Sequence, residues 1–166
     1  IEGRTKSYYY CARTAQVYRK AIDDAAAGKP FDPQLLETLE GLAHRGYTEG
    51  FLRRHTHDDY QNNEYGFSVS ERQQFVGEFT GERKGELAAV LVKNKFTVGD
   101  SLELMTPQGN INFTLEQMEN AKGEAMPVAP GDGYTVWMPV PEDIDLNYAL
   151  LMRNFASEST RNPHAK

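Results

Sequence analysis

His55 and His57 stand two residues apart and are followed at once by Asp58 and Asp59. Imidazole with carboxylate is a donor set that zinc or iron accepts. The i, i+2 spacing does not bring two side chains onto one helix face, and no further His or Cys lies close by in sequence. The stretch therefore reads as a solvated polar loop, and no metal site is expected. A second chemistry runs through the same residues. Arg53 and Arg54 precede the aromatic positions Tyr60, Tyr65 and Phe67, and aromatics interleaved with cations suit base stacking combined with phosphate contact. Asp58, Asp59, Asn62, Asn63 and Glu64 dilute that charge. The other reading, in which the aromatics pin a strap to the neighbouring body, stays open.

Elsewhere the chain lacks the spacings that self-contained catalysis requires. It has no phosphate loop, nucleophile elbow, dinucleotide fingerprint or cysteine cluster. Gly77, Gly81 and Gly85 are separated by charged residues and lie in and after a strand pattern, as a hairpin turn would place them. The carboxylates show no spacing that selects an acid and base pair, and most form a solvated face. Cys11 is the single cysteine and cannot form an internal disulfide. It reads as a packed thiol in a reducing compartment.

Composition bounds the partners. With 18 Lys+Arg against 24 Asp+Glu, the formal net charge is -6, which argues against wholesale nonspecific nucleic-acid binding because that energy scales with neutralised phosphates. Any phosphate contact must come from local clusters, of which Arg53/Arg54, Arg83/Lys84 and Lys93/Lys95 are the candidates. No apolar run approaches the roughly 20 residues of a membrane span, and no charged-then-apolar leader opens the chain. The expectation is a cytoplasmic protein with no membrane segment.

The elements that must position these residues fall into a helical part and a strand-rich part. From Gln73 to Pro139, short runs rich in Val, Phe, Leu, Ile and Thr alternate with turn signals. This predicts a mainly β fold, a small closed β-barrel over residues 73–155. Phe75, Gly77 and Phe79 should share one strand face, with Val76 and Glu78 on the other. Leu87–Val92 is apolar on both faces, as a walled-in strand should be. Thr106-Pro107-Gln108-Gly109-Asn110 is a hairpin connection, Thr114 and Gln117 are spaced as a capping box for a helical turn, and Val136 and Met138 oppose Trp137. Ahead of the barrel, Ser7 caps a helix ending near Gly28, and Asp32 with Pro33 opens a second helix carrying Leu35, Leu36, Leu39, Leu42 and Ala43. Tyr8, Ala15, Tyr18, Ile22 and Ala25 add an apolar stripe to the first helix, which calls for a partner. Residues 1–46 thus form a helical segment, 47–72 a connecting strap and 156–166 a polar tail.

The ordered set IEGRTKSYYY, YRKAID, DYQNNEYG, RQQFVGEF, KNKFTVGDSLELMTPQG and VAPGDG resembles the C-terminal portion of the collagenase-like peptidase family U-32, most closely its bacterial tRNA-hydroxylation branch. The resemblance implies that the two helices belong to the end of an upstream TIM-like catalytic domain. That domain would carry the cysteines of an iron–sulfur cluster and perform the prephenate-dependent 5-hydroxylation of the tRNA wobble uridine. Glu2 and Arg4 would then end a late barrel strand, where such folds place catalytic groups. The run Phe96–Asp100 is similar to the second domain of translation factors, and a barrel of that kind would position tRNA or shield the active site. On this reading the RNA contacts are Arg53, Arg54, Arg83, Lys84, Lys93 and Lys95 with Tyr60 and Tyr65. The alternative is a structural or protein-interaction module of a U-32-type peptidase.

Overall fold

The computed structural model describes residues 2–42 and 73–155. Arg53, Arg54, Tyr60 and Tyr65, and with them the whole strap, lie outside the described residues, as does the tail from residue 156. The chain divides into two compact units, Ile1–Glu71 and Arg72–Lys166.

In the first unit, α1 spans Tyr8–Ala26 and α2 spans Gln34–Glu40. The Ser7 hydroxyl accepts from the Tyr10 amide at 3.2 Å, satisfying one of the first-turn donors that a helix leaves open. Gly28 follows the last turn with φ +69°, the left-handed conformation that ends many helices. The α2 entry uses Asp32, whose carboxylate accepts from the Gln34 amide at 3.0 Å. Tyr9, Arg13, Thr14 and Val17 form the buried face of α1, and Leu35 within α2 and Leu42 just after it are buried. The stripe of Tyr8, Tyr18 and Ile22 is exposed.

The second unit is an antiparallel sheet of six strands in the order β5-β4-β8-β1-β2-β7, plus a two-strand ribbon β3-β6. The strands are β1 Gln73–Lys84, β2 Leu87–Val92, β3 Phe96–Thr97, β4 Ser101–Thr106, β5 Gly109–Thr114, β6 Val128–Ala129, β7 Thr135–Pro139 and β8 Leu150–Asn154. The last strand is the one that unites the sheet: β8 lies between β4 and β1 and pairs with both. One face closes on a core that includes Val76, Val90, Phe96, Leu102, Leu104, Val136, Met138 and Leu151. Burial of apolar surface at about 25 cal/mol per Å² is what holds these strands together.

The fold is mainly β, with two helices ahead of it, but no closed barrel is found. The ladder's two edges, β5 and β7, do not pair with each other along their length. Past Thr114 the backbone of Leu115 is spent on Asp100 and Gly99, at 3.0 and 2.7 Å. Four residues later Glu119 exchanges two hydrogen bonds with Trp137 of β7, at 2.9 and 2.8 Å. A single bridge, from Glu119 beyond the end of β5, therefore reaches β7 where a continuous ladder was expected. The same route explains why the Thr114–Gln117 spacing makes no helical turn: Leu115 and Met118 are drawn into the core while the chain stays extended.

Strand faces follow the pattern with one exception. Ala88, Ala89, Val90 and Val92 of β2 are buried, and Val136 and Met138 enter the core while Trp137 does not. In β1 the register against β8 shifts between Phe75 and Gly77. The bulge turns Val76 into the core, fully buried, while Phe75 stays outside it and Phe79 packs against it. Gly77 is required at this point, because a Cβ there would lie 2.6 Å from Val90 Cγ1 and 3.1 Å from the Leu91 carbonyl.

Candidate nucleic-acid interface

The four described candidate cations occupy the two ends of β2, and the two ends treat them differently. At the β1–β2 turn, Arg83 and Lys84 face Ala88 and Leu87. The Arg83 guanidinium donates to the carbonyls of Val140, Pro141 and Ile144, at 3.3, 3.2 and 2.8 Å. A planar group with several donors suits three converging carbonyls, so Arg83 clamps the turn after β7. Lys84 lies 4.0 Å from the Trp137 ring centroid and reaches the Ala121 carbonyl at 3.4 Å. This contact is a cation–π pair that fastens the 119–125 loop to the sheet. Trp137 itself is buried with its indole N–H unpartnered, and it lines a cavity of about 150 Å³ with Leu87, Gln117, Met118, Glu119 and Ala125.

At the opposite end, beyond Val92, Lys93 pairs with Glu78 at 3.0 Å. Lys95 is exposed and makes no hydrogen bond or ion pair among the described residues. The structure therefore does not gather the four cations into one patch: six residues of extended strand, roughly 20 Å, separate the two pairs. Sequence reasoning missed Tyr134, which is half-exposed and whose carbonyl accepts from the Val92 amide at 2.8 Å, beside the Lys93–Lys95 turn. The signal was available in Pro130-Gly131-Asp132-Gly133, a turn cluster that delivers an aromatic to the surface at its end.

Other candidate chemistry is accounted for by structure. Asp100 accepts from the Thr97 amide at 2.7 Å and pairs with Arg153 at 3.0 Å, so the Phe96–Asp100 run is a braced turn. Glu103 is buried, yet Gln73 donates to it while also bonding Asn154, which places a satisfied carboxylate in a polar row across three strands. Glu2 and Arg4 are exposed and contact each other, with the Arg4 amide on the Glu2 carboxylate at 3.0 Å and the guanidinium 3.6 Å away. On α1 the Lys20 and Lys29 ammonium groups hold the Asp24 carboxyl below the usual carboxylate range, and hydrogen bonding to Asp24 raises Lys20 in turn. Cys11 is half-buried with its thiol 3.7 Å from the Gly3 carbonyl. Among the described residues no three His, Cys, Asp or Glu side chains converge as metal ligands. An iron–sulfur cluster needs several thiolates, so these residues do not fit one. No described helix is long and apolar enough to cross a membrane.

The chain is thus a helical unit followed by a small antiparallel β unit, and no catalytic group is assembled among the described residues. The chain belongs to peptidase family U32: the family's C-terminal domain model matches residues 71–153, and the model of peptidase family U32 itself matches residues 1–62. The chain is 89% identical over its whole length to tRNA hydroxylation protein P of Escherichia coli K12, and 71% identical over 99% of its length to the protein of the same name from Haemophilus influenzae. It spans 37% and 36% of those relatives. Over 48% of the chain it is 37% identical to tRNA hydroxylation protein P of Helicobacter pylori. The crystal structure of the C-terminal domain of a Geobacillus thermoleovorans protein assigned to the U32 peptidases matches with a TM-score of 0.44 and 24% identity, covering 50% of this chain and 93% of that one.

Proposed function

We propose that this chain is the accessory C-terminal part of a tRNA-hydroxylating protein, with residues 73–155 positioning RNA or shielding the active site. The observation that carries this is the 89% identity, over the whole chain, to a protein named for tRNA hydroxylation. The sheet unit offers no assembled acid, base, nucleophile or metal set among its described residues, which suits recognition better than bond-making. Hydroxylation of the wobble uridine, with its iron–sulfur cluster and prephenate, belongs on this reading to the remaining length that the relatives possess. Its setting is the cytoplasm, where tRNA is found. The sheet unit, stitched at its edges by the Glu119–Trp137 bridge, is taken as an incompletely hydrogen-bonded relative of the small barrels of translation factors. The helical unit is taken as the end of a TIM-like domain.

Titration of labelled tRNA against the 166-residue chain at two salt concentrations tests the reading. Binding that weakens as salt rises is expected, because phosphate contacts release counterions. No binding, or binding indifferent to salt, defeats the RNA-positioning role and leaves shielding of the active site.

A second reading has its own observation. Tyr8, Tyr18 and Ile22 are 71%, 50% and 54% exposed and fall within an arc of about 80° on α1. A tyrosine and isoleucine stripe in solvent fits an interface, and the helical unit would use it to dock on the rest of the longer protein.

A further inference from the structure

We propose that the end of the sheet unit where the Lys93–Lys95 and Pro130–Tyr134 turns meet holds an unpaired nucleotide of RNA. Tyr134 stacks on the base, and Lys95 with the amides of residues 131–133 meets the phosphate. The proposal rests on the RNA reading above and gives it a place and a substrate form.

Register brings the two turns together. Phe96 pairs with Ala129 in the β3–β6 ribbon, which sets Lys95 opposite Pro130. Tyr134 is tied by its carbonyl to the Val92 amide, and the chain from Val92 to Lys95 spans at most about 10 Å. Side chains from both turns can therefore touch one nucleotide or two successive ones. The turn itself is built to leave donors free. Gly133 has φ +88°, and among the described residues the amides of Gly131, Asp132 and Gly133 bond no protein group. Successive amides in such a turn form an anion-binding concavity. Tyr134 is 51% exposed, held in place by its backbone and with much of its ring surface left uncovered.

Charge decides which nucleic acid fits. Lys93 is paired with Glu78, and Asp132 sits exposed in the same turn without an ion pair among the described residues. One uncommitted lysine supplies too little charge to hold a duplex by its phosphates, whose contribution scales with the number neutralised. An exposed aromatic gains most from a base whose face is free, and in RNA that is an unpaired one.

The test measures binding of the 166-residue chain to a labelled single strand of about eight nucleotides, to a duplex of the same length and to tRNA. Single strand should bind in preference to duplex. Tyr134→Ala should weaken single-strand binding about tenfold while Tyr134→Phe retains it. Lys95→Ala should lower the slope of log affinity against log salt by about 0.7. Asp132→Asn, which removes a charge that opposes phosphate, should tighten binding about twofold, a gain that misfolding cannot mimic. If wild type binds tRNA while Tyr134→Ala and Asp132→Asn bind like wild type, this site is overturned and the RNA reading stands. If wild type binds no RNA, both fall.

Discussion

The two units handle their apolar residues in opposite ways. The sheet unit buries residues from seven of its eight strands, Phe96, Leu102, Leu104, Val136, Met138 and Leu151 among them, in one core. Among the described residues of the helical unit, Tyr9, Val17, Leu35 and Leu42 are the buried apolar side chains, while Tyr8, Tyr18, Ile22, Phe31 and Leu36 are exposed. Single exposed apolar residues are ordinary, but a contiguous stripe of them marks an interaction surface. The sheet unit thus has the burial of a body that stabilises itself, whereas the helical unit leaves a stripe of apolar side chains exposed.

That contrast is broken most forcefully in the core. Phe96 is fully buried where the β3–β6 ribbon meets the sheet. Phe96→Ala should lower the unfolding free energy by about 4 kcal/mol, combining lost transfer energy with a cavity, as read by urea denaturation of the sheet unit's transition. A loss below about 1 kcal/mol would mean that the ribbon is not integral to this core.

Arg83→Ala is expected next in size. Three carbonyls share that one guanidinium, and their loss should cost about 2 kcal/mol, within the range for hydrogen bonds to charged groups. The same substitution should leave RNA affinity unchanged, since the side chain is committed to the fold. A variant of wild-type stability with weakened RNA binding would reverse the assignment and return Arg83 to the interface.

Local patterning carried much of the sheet. Period-two alternation correctly set Val136 and Met138 against Trp137, and the two-sided apolar run of β2 correctly announced a walled-in strand. The β1 faces were misread because a bulge shifts the period in mid-strand, although Gly77 inside a strand pattern was the available sign of one. The helical turn at Thr114–Gln117 failed because backbone bonds to Gly99 and Asp100 outweighed a capping propensity. Arg83 and Lys84 looked like phosphate contacts because composition cannot show that a cation is already used. The groups that use Arg83 lie 57 to 61 residues away, and no local window contains them. Tyr134 was overlooked for a related reason: an aromatic at the start of an apolar strand reads as core until the register shows which residue the turn leaves outside.

The smallest expected effect sharpens the contrast most. Tyr18 and Ile22 are one helical turn apart on the exposed side of α1, away from the buried Tyr9–Arg13–Val17 face. Replacing both, Tyr18→Ser with Ile22→Ser, removes little packing, so unfolding free energy should stay within about 0.5 kcal/mol of wild type beyond the modest helix propensity of serine. Light scattering should show any self-association of the 166-residue chain reduced by the pair, because the apolar stripe that would drive it is gone. In a protein of the relatives' full length the same pair should be costly if the stripe is covered there, because two serine hydroxyls would be buried without partners. Equal stability changes in the 166-residue chain and in a protein of the relatives' full length would show that this face docks on nothing.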